Sequence, residues 1–128
     1  MEEARSEIVS LNVGGNIFTT TLTTLGQYRE TSMLAAMFDP GSGIPPALRD
    51  ANGAYFIDRN PKAFAAILSY LRTGELFDSY DGITMGEILC EARYFGLQGL
   101  VEKVRSLSPS HRKVILVYLK DVDDKPHP

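Results

Sequence analysis

The sequence predicts an α+β domain in which a cluster of short α-helices covers a small three-stranded sheet. Three observations predict it. Residues 7–13 alternate polar and apolar side chains, and a β-branched and aromatic run at 17–21 follows across Gly14-Gly15-Asn16. A third short apolar run at 54–57 follows the turn signal Asn52-Gly53. Between 61 and 104 the pattern changes to three stretches with apolar residues at i, i+3, i+4 and i+7.

The first strand places Val9, Leu11 and Val13 on one face, and Gly14-Gly15-Asn16 supplies the positive φ that a tight hairpin needs. A short helix is expected over 23–28 with Thr23 as its cap, and a second from Thr31 or Ser32 through Phe38. The Gly- and Pro-rich stretch 39–46 is expected to break all regular structure and to form an exposed, mobile loop. Asn60-Pro61 reads as an N-cap followed by a proline in the first helical turn, where a missing N–H costs nothing. The helix it opens carries Phe64, Ile67, Leu68 and Leu71 in one stripe and ends at Gly74. Thr84 and Glu87 form a capping-box pattern ahead of the stripe Met85, Ile88, Leu89, Ala92 and Phe95, stopped by Gly96. A last helix carries Leu97, Leu100, Val101 and Val104.

From Ser108-Pro109 the character changes. Residues 114–119 are a strongly apolar, β-branched run whose length favours an extra C-terminal strand, and 121–126 turn polar. Such a strand must pair with the domain, another subunit or a downstream region. The expected organisation is an N-terminal tail (1–7), one domain (8–107) and a C-terminal extension (108–128). The abrupt ending suggests an excerpt of a longer protein.

Composition narrows the function classes. The 128 residues are enough for one domain with a real core, and 44% hydrophobic with 23% charged residues is ordinary for a soluble globular chain. A net charge of −3 gives no basic footprint for nucleic acid. No apolar run approaches a membrane span, and the first residues lack the order of a signal peptide, so a cytoplasmic protein without membrane insertion is expected. The single cysteine, Cys90, forms no internal disulfide, and one Cys with two His excludes a Cys-His zinc cluster within the chain.

Catalytic patterns are missing too. No G-x-G-x-x-G or P-loop follows a strand, and Cys90 lies in a predicted helix with no base nearby in sequence. His111 and His127 sit in the tail without partners, and Asp121, Asp123 and Asp124 lack the Gly and closing Glu of a calcium loop. No enzyme, cofactor or metal is expected.

Six stretches in order, LNVGG (11–15), the Thr pairs around 20–25, SMLAAMF (32–38), GAYFIDR (53–59), ILSYLRTG (67–74) and EARYFGL (91–97), make the chain resemble one family. It is the BTB/POZ domain of the potassium-channel tetramerisation-domain (KCTD) proteins. The likeness covers about 8–107; the loop 39–48 and the tail depart from it. The resemblance implies a BTB/POZ fold that self-assembles into a ring, a pentamer or a tetramer. It also implies binding of cullin-3, so that a substrate protein held elsewhere is recruited for ubiquitination. The alternative is a homo-oligomerisation scaffold for a channel or receptor auxiliary subunit, without cullin binding.

Helical geometry adds one independent point. At 100° per residue Tyr94 lies opposite Met85 and shares its side with Cys90, so Tyr94 is either a scattered surface residue or a partner contact. The resemblance places Phe38, Asp39, Tyr70 and Tyr94 on the cullin-facing surface, and Asp58 and Arg59 near the subunit interface. Each has a plain counterpart: Phe38 and Tyr70 close the core, Asp58 or Asn60 caps a helix, and Arg59 is solvated.

Overall fold

The computed structural model describes residues 7–45, 47–77 and 79–107. The strand expected at 114–119 and the rest of the 108–128 extension lie outside the described residues, as does most of the 1–7 tail.

Strand β1 (Ile8–Val13) and strand β2 (Asn16–Thr21) form the expected hairpin, with Val13 opposite Asn16 and only Gly14-Gly15 between them. Both glycines take positive φ, +56° and +104°. Gly14 also lies against the chain after the third strand. Its N–H donates to Ile57 O at 2.9 Å, and a Cβ there would stand 2.4 Å from the Arg59 carbonyl oxygen. Strand β3 (Tyr55–Ile57) runs parallel to β1, with Leu11 beside Tyr55 and Val13 beside Ile57, giving the order β2-β1-β3. Period-2 alternation then turns Leu11, Val13 and Ile57 inward and leaves Asn12, Ile17 and Phe56 on the outer face.

Helix α1 is Leu22–Leu25, and its cap is Thr21 rather than Thr23. Thr21 ends β2 in extended conformation, so its hydroxyl is already placed to accept from Thr24 N at 3.2 Å. Helix α2 (Met33–Met37) is capped by Ser32, whose Oγ accepts from Ala35 N, and Phe38 follows as its last, half-buried turn residue. The following stretch is not wholly irregular. Asp39 Oδ1 accepts from Gly41 N at 3.0 Å and nucleates a single 3₁₀ turn, Pro40–Ser42.

Helix α3 (Pro61–Thr73) has the expected punctuation: Asn60 Oδ1 accepts from Lys62 N and Ala63 N, and Gly74 ends it at φ +76°. Helix α4 (Met85–Tyr94) carries the full capping box, with Glu87 N donating to Thr84 Oγ1 and Thr84 N to Glu87 Oε1. Helix α5 (Gln98–Arg105) starts after Leu97 with no side-chain cap. The three stripes meet over the inner face of the sheet. Phe64 is fully buried between Phe18 (ring centroids 5.3 Å apart) and Phe95 (5.7 Å), both edge-on. Burial of each such ring stabilises the fold by about 2 kcal/mol, which holds α3 and α4 to β1 and β2.

Candidate functional site

Two clusters gather most of the singled-out residues. The first is built on Arg59, the second residue after β3. Its amide N–H donates to Ile57 O, and Gly14 presses on its carbonyl, so the backbone is fixed from both sides. The guanidinium is then held by helix α4. Arg59 Nε donates to Glu91 Oε1 at 3.0 Å and Nη2 to Glu91 Oε2 at 2.9 Å, a two-pronged pair with Glu91 only 6% exposed. The Tyr94 ring lies one turn on, its centroid 3.8 Å from Arg59 Cζ. Hydrogen bonding to Glu91 raises the guanidinium pKa further above its ordinary value, against a desolvation that lowers it.

This cluster sorts three expectations. Arg59 is neither solvated nor free to reach across a seam; its charge is spent on Glu91 of its own chain. Asp58 stays exposed. Tyr94 keeps 43% of its surface exposed, with Arg59 on one face and its ring edge-on to Phe95. Glu91 was not singled out from the sequence. Thirty-two residues separate it from Arg59, and nothing local marks it beyond a carboxylate inside an otherwise apolar helix face.

The second cluster lies where α2 ends. Phe38 packs edge-on against Tyr55, with centroids 4.9 Å apart, and leans on the core while remaining half-buried. Arg49 covers Tyr55 as well, its Cζ 4.3 Å from the ring centroid and its Nη2 donating to the phenol oxygen. Asp39 spends one oxygen on Gly41 N and holds the other 3.8 Å from Arg29 Nη2. Phe38, Tyr55, Ile8, Val9, Leu22 and Ile44 line an open groove of about 560 Å³, with Glu7 and Asp39 among its acidic lining residues. The groove is apolar in its walls and offers no set of converging polar groups for chemistry.

Tyr70 belongs to the core alternative. It is 3% exposed and stacked on Tyr28 at 5.3 Å and 17°, with its hydroxyl against α5 where a Cβ on Gly99 would come within 2.7 Å. Burial, and then the hydrogen bond with Tyr28, push its phenol up to about 12. The reason for the burial is Tyr28, which adopts φ +59° and lays its ring over Tyr70 from the loop before α2. Among the described residues no three His, Cys, Asp or Glu side chains converge as a metal site, and no helix is long and apolar enough to cross a membrane.

Comparison with known proteins follows the same outline. The model of the BTB/POZ domain family matches residues 9–104. The BTB/POZ domain-containing protein KCTD9 of Mus musculus is 44% identical over 99 residues, 77% of this chain and 29% of that protein. Its Homo sapiens counterpart is 47% identical over 94 residues, 73% of this chain and 24% of that protein. Human KCTD21 is 43% identical over 100 residues, 78% of this chain and 37% of its own length. The match therefore spans well under half of each relative.

Proposed function

The chain belongs to the BTB/POZ domain family, and from that premise we propose that it is a ring-forming adaptor that binds cullin-3 and brings a substrate protein to ubiquitin transfer. It acts in the cytoplasm and carries out no catalysis of its own. The ring is a pentamer, or a tetramer, and it works through effective concentration: several copies hold several substrate arms near several ligase arms.

The observation that carries the reading is the Phe38-Asp39 edge. A half-buried aromatic and a partly exposed carboxylate sit side by side on the rim of an open apolar groove. An anchor of this kind suits a partner helix that brings an apolar residue into the groove and a basic one to Asp39. The test is light-scattering mass on a sizing column, with and without the N-terminal region of cullin-3. A multimer that moves to a larger stoichiometric complex supports the adaptor. A multimer that ignores cullin-3 overturns that part and leaves the scaffold.

The scaffold reading has its own support. Tyr70 is buried and Tyr94 already packs against Arg59, which leaves the Phe38-Asp39 edge with less help than four aligned contacts would give.

A further inference from the structure

The three strands, IVSLNV, NIFTTT and YFI, contain no charged residue on either face. On the inner face that is ordinary, because the helices cover it. The outer face is covered by no described element, and its central row is apolar: the register sets Ile17 (56% exposed) and Phe56 (39% exposed) on either side of Asn12. Leu48, 81% exposed, is brought alongside by the bond from Phe56 N to Leu48 O at 2.7 Å. A water-facing sheet with open edges is normally defended by charge. The interior of a protein contact, by contrast, is depleted of it.

Asn12 sharpens the point. Its Nδ2 donates to Asp50 Oδ2 at 2.8 Å, and its Oδ1 accepts from Gly15 N at 2.9 Å. The polar side chain in the centre of the row is already bonded within the chain, so a covering surface need supply it no partner.

We propose that the outer face of the sheet, centred on Ile17 and Phe56, is the surface on which a second copy of this chain sits. This rests on the ring-forming part of the proposed function and names the face that it uses. A ring contact joins two different surfaces of one chain, so the chain must carry both halves of the complement. Asp50 and exposed Asp58 border the apolar row on this side. Arg93, Lys103 and Arg105 are exposed on α4 and α5, the layer that packs on the inner face. The apolar centre with an acidic border thus has a basic counterpart elsewhere on the same molecule.

The experiment uses the full chain and reads mass by light scattering together with side-chain oxidation of Ile17 and Phe56 over a dilution series. The expected result is a multimer in which both side chains are protected, with protection falling as dilution releases single chains. Ile17→Asp and Phe56→Asp are each expected to give a single-chain mass at concentrations where the unaltered chain is fully assembled. Far-UV circular dichroism monitors the fold, and the milder Phe56→Ser, expected to need at least tenfold more protein to assemble, serves where the charged variants unfold. A multimer whose Ile17 and Phe56 oxidise freely, or whose mass is unmoved by folded variants, overturns the proposal while the ring reading stands. Protection that persists in single chains overturns it by showing that another part of the same chain covers the face. An unaltered chain that is a single molecule at all concentrations overturns the ring reading and this proposal with it.

Discussion

The Arg59 cluster and the Phe38 edge both carry residues expected to meet partners, yet they are mechanically opposite. Arg59 is clamped by Gly14 behind, Glu91 beside and Tyr94 above, and its one charge is neutralised inside the chain. Phe38 has a single aromatic neighbour, and the residues beyond it form one 3₁₀ turn before a Gly- and Pro-rich connection. The lesson is that aromatic or charged residue type does not separate a strut from an anchor. What separates them is whether the polar and π surfaces are already satisfied within the chain.

The comparison breaks most readily at the clamp. Gly14→Ala forces a Cβ into the Arg59 carbonyl at positive φ, and we expect a loss of about 3 kcal/mol or outright failure to fold, read from urea unfolding. Glu91→Ala leaves a half-buried guanidinium without its carboxylate, with an expected cost of about 2 kcal/mol after allowing for the exposed part of Arg59. The same variant should leave cullin-3 affinity per folded chain unchanged; a large loss of affinity at full folding would move Arg59 from the struts to the anchors.

At the open edge the balance reverses. Phe38→Ala is expected to lower stability by only about 1 kcal/mol, since the ring is half-buried, while weakening cullin-3 binding by an order of magnitude or more, measured by calorimetry. Equal and large losses in both readings would make Phe38 another strut.

The smallest effect concerns Tyr70. Its phenol ionises near 12 in the fold, against 10.0 ordinarily. The fold keeps a proton that the unfolded chain releases, so this contribution is complete below pH 10 and is lost as pH rises toward 12. Unfolding midpoints across that window should fall for the unaltered chain and fall less for Tyr70→Phe.

What the sequence made legible follows the distance over which each interaction acts. Asn60, Thr84 and Gly74 punctuate helices through bonds spanning four residues or fewer, and each is where its motif placed it. Thr21 was displaced by Thr23 because a run of threonines offers several caps, and only the strand geometry of β2 chooses between them. The Arg59–Glu91 pair and the lid of Tyr28 over Tyr70 were not legible, because each depends on helices and loops meeting after distant segments have docked. The parallel seating of β3 is of the same kind.

That seating has a consequence for how the chain is born. Strand β1 sits in the middle of the sheet, bonded to β2 through a two-residue turn and to β3 across more than forty residues. The hairpin can close in about 1–10 μs once residue 21 is free, whereas the other flank of β1 must wait for Tyr55–Ile57 to be made. At synthesis rates of about 5–20 residues per second that wait lasts seconds. During it, an uncharged strand stands with one side unpaired in a growing chain, and neighbouring chains on the same message carry the identical strand. The cell's moment of greatest exposure to mispairing is therefore set before the first long helix exists.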